Sequence, residues 1–346
     1  MSRFVPGIDL CRRLYDEQVG PVLAGSFPSL RHSAALLGRG SEVLGFDDET
    51  STDHDWAARV LLFLTDEDEA TLGAEVTQRL DEALPPTFGG HPVRHEVHTV
   101  RGFVQQQLAL DLDREVRAVD WLTMPENSLR SVTAGAVFHD EVGLGAVRER
   151  LSYYPRDVWF YLMITGWWRV HPEANLVGRT GSVGDELGSA VLGTRLAKDL
   201  MRLAFLMERE YAPYDKWFGT AFARLGCGPA LTPYLNAVVH ARSWQEREDA
   251  LVGATTALVD VHNRLGLTAP VAVEVVQMWD RPFRVAWAEI PELLHAQIDD
   301  QEVLQISGKW PLGPVDQLRE LTWAVRRRPA FLRIFSDLAD GAATGQ

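Results

Sequence analysis

Two patterns of hydrophobic and polar positions follow one another along the chain. Up to about residue 152, short apolar or alternating runs that are typical of strands lie between amphipathic stretches that are typical of helices. The sequence predicts strands at 34–37, 56–64, 92–100 and 136–138. It predicts helices at 8–23, 65–84, within 105–129, and at 143–151. This alternation favours a mixed sheet flanked by helices.

Beyond Pro155 the periodicity is helical, with predicted helices at 157–170, 183–211, 214–225, 229–241 and 244–265. Val271–Trp279 is the one later stretch that also fits a strand, and we favour a helix there. A chain of 346 residues is long enough for two cores. The predicted fold class is therefore α+β: an α/β domain with a mixed sheet at 1–152, then an all-helical domain at 153–346.

Composition and charge narrow the function. The chain is 46% hydrophobic and 24% charged, as in soluble globular proteins. A formal net charge of −14 argues against general nucleic-acid binding, which depends on lysine and arginine. The longest apolar stretch, Val158–Trp168, is shorter than the roughly 20 residues of a membrane span. Two cysteines and a start without signal-peptide features predict a cytoplasmic protein.

The stretch between the first two predicted strands carries the candidate chemistry. Gly38, Gly40 and Ser41 form a glycine-rich turn, and Asp53 and Asp55 lead the second apolar run. If that run is a strand from Asp53 onward, the two aspartates share one face, roughly 6.5 to 7 Å apart. Two carboxylates beside a turn with free N–H groups can hold a divalent metal ion against a phosphate.

This arrangement resembles the signature of the polymerase-β-type nucleotidyltransferases: an apolar strand, Gly-Ser, a loop, then Asp-x-Asp leading a second strand. The residue between the aspartates is usually apolar in that superfamily, and here it is His54. The resemblance implies that Asp53 and Asp55 hold one or two Mg²⁺ ions. It also implies that Gly40 and Ser41 bind the β and γ phosphates of ATP.

A third carboxylate is predicted at Glu96, on the next strand. The run His-Glu-Val-His-Thr-Val resembles the Leu-Glu-Val-Thr-Val strand of the streptomycin and spectinomycin adenylyltransferases. That likeness implies that Glu96 is both a metal neighbour and the general base. The alternative is a surface carboxylate paired with Arg94 or His98. Asp111 and Asp113 are weaker rivals, since their polar surroundings favour an exposed helix face.

In the predicted helical half, Arg202 and the segment 211–219 are similar to the same adenylyltransferases. The likeness implies that Arg202 and Lys216 reach the triphosphate across a cleft between the domains. Tyr214 is a candidate for stacking on the base. The alternatives are an ordinary lysine in a first helical turn and a packing role for Tyr214. The two local patterns also resemble a large family of uncharacterised bacterial nucleotidyltransferase-like proteins, which implies no substrate.

These resemblances imply an enzyme that transfers a nucleoside monophosphate, AMP from ATP, to a hydroxyl of a small molecule and releases pyrophosphate. An alternative acceptor is a protein side chain or an RNA end, and the acidic charge argues against RNA. A further alternative is a nucleotide-binding or interaction protein whose catalytic site has decayed. Nothing in the sequence identifies the acceptor.

Overall fold

The computed structural model describes residues 4–53, 56–308, 311–318 and 328–339. The chain divides into two compact units. The first, which we call the sheet unit, consists of Met1–Val116, Met124–Ser152 and Thr322–Arg328. The second, which we call the helical unit, consists of Arg117–Thr123, Tyr153–Leu321 and Pro329–Gln346.

The sheet unit is built on a mixed five-stranded sheet with the order β3-β4-β2-β1-β5. Its strands are β1 Ser33–Leu36, β2 Ala58–Leu64, β3 Thr87–Phe88, β4 His91–Thr99 and β5 Ala136–Asp140. Strands β2 and β4 are parallel, and the other pairs are antiparallel. The central strand β2 is almost continuously apolar because it has a neighbour on each side and is buried.

Helices pack against this sheet, most of them where the apolar periodicity predicts, although a short helix also starts at Ser41, where a turn is predicted. They are α1 Gly7–Leu14, α2 Gly20–Ser26, α3 Ser41–Leu44, α4 Asp66–Ala83, α5 Val100–Leu108, α7 Glu126–Thr133 and α8 Leu144–Arg150, while α6 Ala118–Thr123 belongs to the helical unit. A π-helical turn joins α1 to α2. The hydroxyl of Thr65 caps α4 by accepting from the N–H of Asp68, and acidic residues fill its first turn, where they suit the helix dipole.

One large core cluster of the sheet unit lies on one face of β2. Val60 and Leu62 of that strand pack with Leu14 of α1 and Leu80 of α4, and all four side chains are fully buried. Each such side chain stabilises the fold by about 1.5–3 kcal/mol relative to an exposed one. The opposite face of β2 carries Arg59 and continues onto the exposed positions of β4.

The helical unit contains α9 Arg156–Gly181, α10 Glu186–Met207, α11 Asp215–Phe222, α12 Gly228–His240 and α13 Trp244–Leu265. It continues with β6 Glu274–Gln277, β7 Arg284–Trp287, α14 Ile290–His295, α15 Gln301–Ser307 and α16 Val315–Leu318. Helix α17, Arg328–Ala339, starts at the last residue of the sheet unit. Among the described residues, no helix is long and apolar enough to span a membrane.

The strands β6 and β7 correct two predictions: Val271–Trp279 is not helical, and this part of the chain is not all-helical. The two strands form an antiparallel hairpin. Trp279 and Asp280 have φ values of 49° and 56°, which turn the chain back, and the N–H of Met278 donates to the oxygen of Phe283. The α+β class itself is confirmed by the elements of both units.

Candidate functional site

The glycine-rich turn follows β1 directly. Gly38 has φ 92° and donates its N–H to the oxygen of Ser131 at 2.8 Å. Gly40, at φ 134°, is the residue before α3, and Ser41 is the first residue of that short helix. Because β1 and β2 are antiparallel, the turn lies at the end of the sheet where β2 begins. We call this end the glycine-turn end.

The predicted strand alternation does not apply to Asp53. Strand β2 begins at Ala58, and Asp53 ends a 3₁₀ helix that starts at Glu49. The carboxylate of Asp48 holds this turn by accepting from the N–H of Thr50 at 2.9 Å and from its hydroxyl at 2.6 Å, and the hydroxyl contact is the main cause that lowers the pKa of Asp48. The Asp53 side chain and the whole of Asp55 lie outside the described residues.

A buried ion pair at the glycine-turn end was missed by sequence reasoning. Arg59 Nη2 donates to Glu42 Oε1 and to the oxygen of Arg39, both at 3.0 Å. The two side chains are 18% and 6% exposed. Burial raises the pKa of Glu42, and Arg59 opposes that shift. An arginine inside the apolar run Ala-Ala-Arg-Val-Leu was the signal that could have revealed the pair.

Glu42 also lies against the glycine of the turn. A Cβ atom at Gly40 would be 2.2 Å from both carboxylate oxygens of Glu42. The turn therefore already holds one carboxylate at close range, with Arg59 as its counter-charge. Glycine is needed at this position both for this approach and for the φ of 134°.

Glu96 lies farther along the sheet than the start of β2. In the parallel register Ala58 pairs with Val93 and Leu61 pairs with Glu96, three residues or about 10 Å farther on. The carboxylate of Glu96 is 53% exposed and contacts His98 Nε2 at 3.0 Å. The pairing with His98 that the sequence left open is thus present.

Asp111 and Asp113, the alternative candidates for the third carboxylate, lie in a loop after α5 and not on a helix face. Ala109 ends that helix with φ 50°, so the chain leaves the helical path before Asp111. Asp113 donates its N–H to Asp111 Oδ1 at 3.0 Å and forms an ion pair with Arg101.

The three residues predicted in the helical unit are distributed over α10 and the start of α11. The guanidinium of Arg202 lies 5.6 Å from the ring centre of Phe218. Lys216 is exposed, with Nζ 4.9 Å from the ring centre of Trp217. Tyr214 is the partly buried residue before α11. The aromatic side chains of α11 therefore lie beside both cations.

Arg202 belongs to a larger cationic cluster. Arg195, Lys198 and Arg202 recur at helical spacing on α10, so they share one side of that helix. The nearly buried carboxylate of Asp199 contacts Arg195 at 3.7 Å and Arg169 of α9 at 2.8 Å. Burial raises the pKa of Asp199, and the arginines oppose the shift. The spacing of the three cations was a usable signal for this cluster.

A cavity of about 390 Å³ lies at the other end of the sheet, where β2 and β4 finish. Its polar lining comes from Arg31, Thr65, Asp66, Arg101 and Glu141. We call this the cavity end. Since β2 has seven residues, the two ends are about 20 Å apart along the strand.

Comparisons with known proteins give limited matches. Residues 121–218 match a family described as a domain of unknown function (DUF4037). One similar solved structure is a nucleotidyltransferase-like protein from Exiguobacterium sibiricum 255-15, with 12% identity and a TM-score of 0.33 over 82% of this chain and 98% of that chain. No curated protein matches. The matched family segment contains Arg202, Tyr214 and Lys216, and it does not contain Gly40, Ser41, Asp53, Asp55 or Glu96.

Proposed function

We propose that this protein is a metal-dependent nucleotidyltransferase that transfers AMP from ATP to a hydroxyl of a small molecule. The observation that carries the proposal is the strand–turn–strand unit at the glycine-turn end. The chain leaves β1 through Gly38 and Gly40 and re-enters the sheet beside that turn, directly after the segment that contains Asp53 and Asp55.

The glycine turn is the proposed phosphate-binding element. Gly40 permits the close backbone approach that a phosphate needs, and Ser41 supplies a hydroxyl. The carboxylate of Glu42 would repel a phosphate at this place, but Arg59 neutralises it at 3.0 Å. Within the part of the chain that the structure describes, Arg59 is therefore the cation best placed to offset the negative charge of Glu42 at the turn.

Asp53 and Asp55 are the proposed Mg²⁺ ligands, because carboxylate oxygens are what Mg²⁺ prefers. When bound, the metal would neutralise the triphosphate. The acceptor hydroxyl would attack the α-phosphorus while the bond from that phosphorus to the pyrophosphate breaks. Glu96 is the proposed base that takes the hydroxyl proton, and its neighbour His98 holds its carboxylate at 3.0 Å.

In the helical unit, we assign Arg202 and Lys216 to the triphosphate and Tyr214 to the base. Support comes from the cluster around Arg202, where several cations share one helix side and an exposed lysine opens α11. Guanidinium and ammonium groups bind phosphates through charge-assisted hydrogen bonds, which are about twice as strong as neutral ones.

A second candidate is a nucleotide-binding protein without transferase activity. The register of Glu96 favours it, because the carboxylate lies beside Leu61 and not beside the first residue of β2. This candidate predicts that ATP binds and that no pyrophosphate is released.

One experiment separates the two candidates. The purified chain is incubated with Mg²⁺, ATP and a metabolite extract; pyrophosphate is measured, and products heavier by one AMP are sought by mass spectrometry. The transferase predicts both signals in the wild type and their loss in Glu96→Gln, which still binds ATP. ATP binding with no product in any extract would favour the second candidate.

A further inference from the structure

Three potential metal ligands meet at the cavity end. His32 directly precedes β1, His139 lies in β5, and Glu141 directly follows β5. The antiparallel register pairs Ala34 with His139, and the N–H of Glu141 donates to the oxygen of His32 at 3.1 Å. The sheet therefore brings His32 beside two side chains that lie more than a hundred residues later in the sequence.

The side chains are close enough to share one ion. One ligand atom from each residue lies within 4.8 Å of the other two. His139 Nε2 is 3.2 Å from Glu141 Oε2, and the two imidazole centres are 4.6 Å apart. Ligands around tetrahedral zinc, with bonds of about 2.0–2.1 Å, lie about 3.4 Å from one another. Small side-chain rotations would bring the three atoms to that spacing.

We propose that His32, His139 and Glu141 bind a divalent transition-metal ion of the Zn²⁺ class. Two imidazole nitrogens and one carboxylate oxygen form a donor set that suits Zn²⁺, whereas Mg²⁺ and Ca²⁺ prefer oxygen ligands throughout. Three protein ligands leave a fourth position open. Because Glu141 also lines the cavity of about 390 Å³, the ion would lie next to that space.

The neighbours of His32 suit this role. Tyr15 Oη lies 2.9 Å from His32 Nε2, and the oxygen of Leu30 lies 3.5 Å from Nδ1. Whichever nitrogen binds the ion, the other keeps an oxygen neighbour that fixes the orientation of the ring. Partners of this kind typically orient metal-binding histidines. His32 is only 9% exposed, whereas the His139 and Glu141 side chains are 35% and 46% exposed, so an ion can enter from their side.

The pair His98–Glu96 provides a matched comparison within the same unit. Its nitrogen and oxygen are 3.0 Å apart, as close as those of His139 and Glu141. Among the residues that the structure describes, however, the one group of three such ligands is His32, His139 and Glu141. If zinc binding needs a second imidazole, the ion should bind at His139 and Glu141, which have His32 beside them, and not at His98 and Glu96.

The test is Zn²⁺ binding by the full chain without a histidine tag, measured calorimetrically with excess Mg²⁺ present to occupy the acidic residues. We expect one Zn²⁺ per chain. His139→Asn and Glu141→Gln should each weaken binding at least about tenfold, and the control His98→Asn should leave it unchanged. Co²⁺ should give intense visible absorption bands typical of four-coordinate cobalt in the wild type and not in the double variant His139→Asn/Glu141→Gln.

Two results would overturn the proposal. One is a wild type that binds no Zn²⁺ under these conditions and gives no such cobalt spectrum, a measurement that depends on no variant. The other is a folded Glu141→Gln protein with wild-type affinity. The Glu141 side chain is nearly half exposed, so this substitution should leave folding intact.

Discussion

The two ends of the sheet differ in how their charged groups are partnered. At the glycine-turn end, Glu42 and Arg59 form a largely buried pair against Gly40. At the cavity end, Arg101 and Glu141 face an open space, and the Arg101 side chain is 50% exposed. The pair at the first end is largely shielded from water, whereas Arg101 and Glu141 at the second end, although paired with Asp66, Asp113 and His139, are about half exposed.

This difference shows that the sequence motif and the cavity mark two different kinds of region in the sheet unit. The motif Gly-x-Gly-Ser marks the glycine-turn end, where the structure shows tight packing. No motif marks the cavity end, where His32, His139 and Glu141 come together through strand pairing. We therefore expect substitutions of Arg59 and Gly40 at the first end to change stability, and a substitution of the exposed Arg101 at the second end to change it little.

The largest expected effect is from Arg59→Met. Removing Arg59 leaves the Glu42 carboxylate buried without its partner, which we expect to lower the free energy of unfolding by about 2–4 kcal/mol. The matched control is Arg101→Met at the cavity end, where an exposed pair contributes about 0–1 kcal/mol. Urea denaturation measures both, and the double variant Arg59→Met/Glu42→Gln should recover part of the loss. Equal effects of the two single variants would contradict the comparison.

A smaller loss is expected from Gly40→Ala. The new Cβ would meet the Glu42 carboxylate at 2.2 Å, and alanine is strained at a φ of 134°, so destabilisation of about 1–3 kcal/mol should follow. Gly25→Ala is the control, because nothing lies within 4 Å of a Cβ there and the residue is helical. Thermal denaturation of both variants checks this. A Gly40→Ala protein as stable as Gly25→Ala would show that the turn is not tightly constrained.

The smallest expected effect is a pH dependence at Glu42. Burial raises the pKa of this carboxyl in the folded chain, so the folded state holds its proton to higher pH than the unfolded state does. The stability that the protonated Glu42 contributes is complete below the pKa of this group in the unfolded chain. It is lost as pH rises through the higher pKa in the folded chain. Glu42→Gln should therefore gain stability relative to wild type as pH rises over the range above about 4, the ordinary carboxyl pKa. A stability difference that stays constant over this range would contradict the assignment.

Most elements of the fold could be predicted from periodicity, because buried strands and amphipathic helices leave strong local patterns. The boundary before β2 could not. The apolar run predicts a strand that starts at Asp53. In the structure, hydrogen bonds to Asp48 hold residues 49–53 in a 3₁₀ helix. The hairpin after α13 was missed for a similar reason, since it depends on the turn at Trp279 and on pairing with β7.

For the candidate site, local sequence identified Gly40 as part of a turn, and it is, whereas Ser41 already begins α3. It could not reveal the register that places Glu96 beside Leu61, because register depends on pairing between distant segments. The same holds for Glu42 and Arg59, whose contact joins a turn to the next strand. The functional assignments of all the predicted site residues remain predictions: Gly40, Ser41, Asp53, Asp55, Glu96, Arg202, Tyr214 and Lys216.

The most direct test of the central claim is the melting temperature of the chain with and without Mg²⁺ and ATP. We predict that Mg²⁺-ATP at about 100 times its Kd stabilises the wild type by roughly 2.7 kcal/mol. Asp53→Asn/Asp55→Asn should remove most of that gain, and Arg101→Ala at the cavity end should retain it. An equal shift in the aspartate double variant, or a shift lost in Arg101→Ala alone, would contradict nucleotide binding at the glycine-turn end.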